Sequence, residues 1–225
     1  MRYEFGADDS GRMKDVLVQH GVGTHAELLA MSAPVHLAYC LRHDFYFIQD
    51  YDRHCPERKF EWEKLEVLRL VMQRAEPGGL VVWLDSDTLI VGDEDFRAAI
   101  PEDADAAMTG TRACGLTPLS EPVLYWNAGV MVLRNNLAVK AWLAATRQSW
   151  HEGKEEGPPP HKDERALWKH RKMVRIAELA PKWNVWRNNA HVVRPEEAVV
   201  RAWHGEQTDS VLRRMAELRA SRAVA

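Results

Sequence analysis

The chain has 225 residues, 46% of them hydrophobic and 28% charged, with a formal net charge of -3 at pH 7. That is ordinary globular composition, enough for one domain with a full core, and near-neutrality removes the electrostatic reason to expect a nucleic-acid partner. Residues Met1 to Ser10 lack the apolar core of a signal peptide, and no stretch approaches the roughly 18 apolar residues that span a bilayer. The three cysteines, Cys40, Cys55 and Cys114, are too sparse for a disulfide framework and fit a reducing compartment. The expected protein is soluble and cytoplasmic, with contact at the inner face of a membrane still compatible.

The first apolar run, Val16-Leu17-Val18, reads as a short buried strand entering the turn Gln19-His20-Gly21-Val22-Gly23. Thr24 is placed to cap a helix from His25 to His43. Asp44 to Ile48 is aromatic and β-branched, hence strand-like. Arg58 to Arg74 has helical spacing, with Leu65, Leu68 and Met72 on one face, and Pro77-Gly78-Gly79 stops it. Leu80 to Leu84 is continuously apolar, as in a strand buried on both faces. Ala106 to Thr109 and Val130 to Leu133 are further strands. Helices are predicted over Leu137 to Trp150, Asp163 to His170 and Val211 to Ala220, with a loop at Gly153 to Pro160. Strands alternating with helices indicate an α/β fold with a central mixed, mainly parallel sheet. We take residues 1–225 as one domain with two halves, 14–110 and 111–225.

The Leu80 to Leu84 strand ends abruptly at Asp85-Ser86-Asp87. In α/β sheets, ligands bind beyond the carboxyl ends of the strands. Two carboxylates there suit a hard cation, which takes oxygen ligands from one or two carboxylates plus substrate phosphates. An Asp-x-Asp turn is also a common solvated loop or helix cap; the apolar runs on both sides of this one favour a functional role. Nine tryptophans serve first as core filling, and flat rings also pack on sugar faces.

Leu84-Asp85-Ser86-Asp87, with Trp126-Asn127-Ala128-Gly129 downstream, resembles the retaining GT-A-fold glycosyltransferases, in particular the glycogenin-like family and the fungal galactosyltransferase and plant xylosyltransferase family. The ordered set continues through Trp62-Glu63-Lys64-Leu65, Asp163-Glu164, Pro181-Lys182-Trp183-Asn184 and Trp203-His204-Gly205. Position 164 is Glu where that family usually has Gln, and Glu206-Gln207 stand where a phosphate-binding Lys is often found. The resemblance implies a Rossmann-type nucleotide-sugar-binding domain, with a nucleotide- and metal-binding half, 14–110, and a donor-sugar and acceptor half, 111–225. It also implies transfer of a hexosyl or pentosyl group from a nucleoside-diphosphate sugar, expected to be a UDP-sugar, to a hydroxyl acceptor with retention. A glycan, a lipid-linked glycan or a small molecule would serve as acceptor.

On that resemblance Asp85, Asp87 and His204 hold Mn²⁺ or Mg²⁺. Lys64, Asp85, Gly129, Gly205 and Gln19 contact the donor, while Asp163 and Asn127 sit at the transferred sugar. Arg187, Asn188 and Asn189 are expected toward the acceptor. No residue is an obvious covalent nucleophile. The competing pattern is Asp85-Ser86-Asp87-Thr88 as the opening of a haloacid-dehalogenase-like phosphatase, with Asp85 as nucleophile and Asp87 as general acid.

Overall fold

Leu80–Leu84 forms the strand around which the chain assembles. The structure, a computed structural model, describes residues 2–5, 13–110, 125–149, 162–186, 189–190 and 193–223. In chain order the strands are β1 Arg2–Phe5, β2 Val16–His20, β3 Tyr46–Asp50, β4 Leu80–Leu84, β5 Thr88–Ile90, β6 Ala106–Gly110, β7 Trp126–Arg134, β8 Ile176–Glu178 and β9 Val200–Ala202. The helices are α1 Thr24–His43, α2 Glu63–Arg74, α3 Leu137–Ser149, α4 Lys162–Lys169 and α5 Thr208–Ala223.

Seven strands make one sheet in the order β1-β3-β2-β4-β7-β6-β8, and β5 pairs with β9 in a second, two-stranded sheet. β2, β3 and β4 are mutually parallel, and β6 and β8 share their direction; β1 and β7 run against them. The sheet is thus mixed and mainly parallel, as expected, and both halves of the chain contribute to it.

Both faces of the sheet are covered, because successive strand side chains point to opposite faces. Val81 and Trp83 of β4 pack with Leu65 and Val71 of α2 and with Val139 and Trp142 of α3. Leu80, Val82 and Leu84 pack the other way, with Tyr39 and Cys40 of α1. Burying one such side chain contributes roughly 1.5–3 kcal/mol, so the unbroken apolar run fixes β4 at the sheet centre. A third cluster, including Leu28, Leu89, Trp203, Val211 and Met215, seats α5 against α1 and the small sheet.

Several element boundaries move from their sequence expectations. Thr24 is the first residue of α1, not its cap, and Gly23 precedes it with φ 58°. Asp44 adopts the left-handed conformation, φ 54°, and its N–H closes α1 on the Cys40 carbonyl, so β3 begins two residues later than the sequence suggests. The predicted Arg58 to Arg74 helix opens as a 3-10 turn at Phe60–Trp62 and becomes α-helical at Glu63. The Gly153 to Pro160 loop lies outside the described residues.

Candidate active site

Because β7 runs antiparallel to β4, its first residues arrive at the edge where β4 ends. The Asp85 N–H donates to the Gly129 carbonyl at 2.8 Å, joining the two segments. The Asp85-Ser86-Asp87 turn then closes through Thr88, whose N–H and hydroxyl both donate to the Asp85 carbonyl, at 3.1 and 2.7 Å. β5 follows and pairs with β9, and the Trp203 N–H donates to the Asp87 carbonyl at 3.1 Å. This second sheet carries His204 back over the acidic turn. The result is a cavity of about 360 Å³, whose walls include Lys64, Asp85, Asp87, Asn127, Asp163 and His204.

Asp85, Asp87 and His204 each offer a ligand atom, and these atoms lie within 4.8 Å of one another. Ligand atoms on one Mg²⁺ lie at most about 4.2 Å apart, twice the roughly 2.1 Å metal–oxygen distance. Only one pair among three octahedral ligands can be that far apart, the others lying about 3 Å from each other, so the three atoms must draw together to share one ion. The Asp87 Oδ1 atom is buried without a hydrogen-bond donor, its neighbour being His204 Nδ1 at 3.5 Å. Two hard carboxylates with one imidazole and an orphaned buried oxygen fit a divalent cation. Burial disfavours charge on either partner, yet Asp87 raises the His204 pKa above its ordinary value and His204 lowers that of Asp87.

A directed chain of hydrogen bonds sets the histidine ring. His204 Nε2 lies 3.2 Å from Asn184 Oδ1, which can only accept, so the proton sits on Nε2 and Nδ1 is left toward Asp87. Asn184 Nδ2 donates to Asn127 Oδ1 at 2.9 Å, and Asn127 Nδ2 donates to Glu164 Oε1 at 3.1 Å. Glu164 Oε1 also accepts the Ala128 N–H at 3.1 Å. Outer partners of this kind fix the tautomer and orientation of a metal-binding histidine. Gly129 makes room for the ring: a Cβ there would lie 2.3 Å from His204 Cε1. Gly205 follows with φ +74° and open space before it. That conformation is rare for residues with a Cβ.

Lys64 sits at the centre of the acidic wall. Its ammonium donates to the Ala128 carbonyl at 2.9 Å and pairs with Asp85 Oδ1 at 3.1 Å and Asp163 Oδ2 at 3.2 Å. Burial works against its charge, but Asp85, Asp163 and Glu164 outweigh it and raise its pKa further. All three of its N–H donors are used, so the expected contact with phosphate would require giving one up. Trp83 Nε1 donates to the same Asp85 oxygen at 2.7 Å, leaving Oδ2 for a cation. Burial, then the neighbouring Asp163, pushes the Glu164 carboxyl up to about 7.

Gln19 does not line the cavity. It is fully buried, its Oε1 accepting from Ser32, His36 and Gln49 at 2.8–3.1 Å and its Nε2 donating to the Asp85 carbonyl at 3.3 Å. A group with these partners braces the turn from below and has no face toward a donor. His20 and His25 line that wall instead, each stacked on the Phe60 ring, at 5.3 and 4.9 Å. Asn189 is buried as well, spent on the Trp186 N–H and the Asn184 carbonyl; Arg187 and Asn188 lie outside the described residues.

Sequence reading misses Trp83, Asn184 and Phe60 as site residues. Trp83 is within its reach, because positions two apart on a strand share a face and Asp85 follows it by two. Asn184 reads only as a turn residue, and nothing local marks its bond to Asn127, 57 positions away.

No protein-family model and no curated protein matches the chain. Solved structures do match. A glycosyltransferase involved in glycosylation of the major capsid of PBCV-1 is similar at 11% identity, with TM-score 0.69, over 90% of this chain and 98% of that one. The galactosyltransferase LgtC in complex with donor and acceptor sugar analogues is similar at 13% identity, with TM-score 0.57, over 91% and 95% of the two chains. GlyE of Streptococcus pneumoniae is similar at 11% identity, with TM-score 0.56, over 92% of this chain and 64% of that one. The phosphatase alternative gains no support from these matches. The α/β architecture with its central, mainly parallel sheet matches a GT-A glycosyltransferase fold.

Proposed function

We propose that the protein is a metal-dependent glycosyltransferase that moves a sugar from a nucleoside-diphosphate sugar, with UDP as the carrier, to a hydroxyl acceptor with retention. The observation that carries this reading is the convergence of Asp85, Asp87 and His204 on one edge of the sheet, facing a cavity. The LgtC complex, with donor and acceptor sugar analogues on a similar fold, supports the substrate class.

Asp85, Asp87 and His204 hold Mn²⁺ or Mg²⁺, which when bound offsets the charge that builds on a leaving diphosphate. Lys64 holds Asp85 and Asp163 in place from behind, so the acidic wall needs no reorganisation during reaction. Asp163 and Asn127 face the transferred sugar. Asn127 has its oxygen and one N–H committed, so it offers the sugar a single remaining N–H. Gly205 lets backbone approach the diphosphate. This arrangement requires no covalent nucleophile; positioning and electrostatics supply the rate.

The test is thermal unfolding with Mn²⁺ alone, UDP alone and both together, on the wild type and on Asp87→Ala. A ligand at about 100 times its dissociation constant adds roughly 2.7 kcal/mol. The expected result is a shift that needs both components and vanishes in Asp87→Ala while that variant stays folded. Equal donor stabilisation in the variant defeats the metal assignment.

A further inference from the structure

A second cavity, about 330 Å³, lies between α2 and α3 and shares no residue with the first. Beneath it Leu65 and Met72 of α2 and Leu143 of α3 are 4% exposed or less, and Ala144 of α3 is its exposed apolar surface. Its rim carries three cations, Arg69, Lys140 and Arg147, with two glutamines, and among the described residues no carboxylate lines it. Binding pockets of this size are mostly apolar with a few convergent polar groups.

The cations are held from below. Glu66, 9% exposed, accepts from Arg69 at 2.5 and 3.0 Å and pairs with Arg147 Nε at 2.8 Å. This fixes both guanidiniums at the groove. Lys140 has no ion pair among the described residues. Three cations less the one carboxylate leave a local charge of +2 on a chain whose net charge is -3. Leu137, three residues before Lys140 on α3, is 86% exposed. Residues three and four apart share a helix face, so this unburied apolar side chain stands one turn from that cation, outside the groove's lining.

An apolar slot with two held guanidiniums and an unpaired ammonium at its rim is complementary to an amphiphile with an anionic head. We propose that this groove binds a single-chain lipid phosphate, its alkyl chain over Ala144 and the aliphatic stems of the rim side chains and its phosphate on Arg69, Lys140 and Arg147. Arginine matches phosphate through paired parallel N–H donors, and lysine adds a point charge.

The experiment is calorimetric titration of the full chain with dodecyl phosphate below its micellar threshold, beside inorganic phosphate and dodecyl maltoside. Two variants accompany it: Lys140→Glu reverses a rim charge, and Ala144→Trp fills the groove from an exposed helix position. The expected result is one site per chain, weakened at least tenfold by either variant, with neither control ligand binding comparably. Both variants should keep the wild-type response to Mn²⁺ plus UDP, which separates loss of this site from loss of the fold or of the catalytic reading. The proposal is overturned if dodecyl maltoside binds as well as the phosphate, if inorganic phosphate suffices, or if both variants bind as the wild type does. It is also overturned if an acidic amphipathic peptide, and not dodecyl phosphate, occupies the groove; the face would then be a protein-docking surface.

Discussion

Replacing Glu164 by Gln should make the protein more stable at alkaline pH, and the structure gives the size of the effect. Folding raises the pKa of this carboxyl from 4.5 to about 7, by burial and then by the charge of Asp163. The folded state therefore keeps a proton that the unfolded state releases. The stability this contributes is fully present below pH 4.5 and is lost as pH rises through 7. At 1.36 kcal/mol per pH unit, the whole loss is about 3 kcal/mol. In Glu164→Gln the new amide keeps an acceptor for the Asn127 and Ala128 donors and has no proton to lose. Urea unfolding of both proteins, in chelator, at half-unit steps from pH 4.5 to 8 checks the sign and the size. The stabilities should be close at pH 4.5, and the variant should lead by about 3 kcal/mol at pH 8. A difference that stays constant across that range would refute the reasoning, because it would mean Glu164 titrates alike folded and unfolded.

Three further changes test the site's construction. Gly129→Ala sets a Cβ 2.3 Å from the His204 ring; Mn²⁺ affinity by equilibrium dialysis should fall at least tenfold, with the far-ultraviolet circular dichroism unchanged. Lys64→Met leaves Asp85 and Asp163 without their buried cation, and unfolding should show a loss of about 3 kcal/mol or more. Gln19→Leu strands the His36 Nδ1–H and one Gln49 N–H, while the Ser32 hydroxyl keeps the Leu29 carbonyl at 3.2 Å; urea unfolding should show a loss of roughly 1–3 kcal/mol for each donor that stays unpaired. In that variant, UDP affinity at saturating Mn²⁺ should hold if Gln19 makes no donor contact and the Asp85 turn keeps its place without the Gln19 brace.

The parts of this fold visible in the sequence are those whose cause is local. An unbroken apolar run of five residues after Pro77-Gly78-Gly79 is long enough for a doubly buried strand and too short for a helix, and β4 lies where that rule puts it. The acidic turn follows because it ends that run. β7 starts four residues before its apolar run, since Trp126-Asn127 is half-exposed and lacks the signature of Val130 to Leu133. The strands β5, β8 and β9 have three residues each, too short for any periodicity. β1 depends on pairing with β3. The ligand trio is legible through resemblance, and its support is not. Whether Gln19 points at a ligand or into the interior depends on Ser32, His36 and Gln49, and whether Lys64 meets phosphate or carboxylate depends on Asp163. Both are facts of assembly.

Among the described residues, no helix is long and apolar enough to cross a membrane.

The separations along the chain have a kinetic consequence. Lys64 meets Asp163 across 99 positions, Asp85 meets Gln19 across 66, and Arg219 reaches Met31 across 188. Contacts so distant in sequence form only after large loops have closed, which slows folding. No fragment ending before β9 holds all three candidate metal ligands, so the metal site should appear only with the last stages of assembly. Metal affinity during refolding would then serve as a clock for completion of the whole domain, lagging behind any signal from the apolar centre of the sheet.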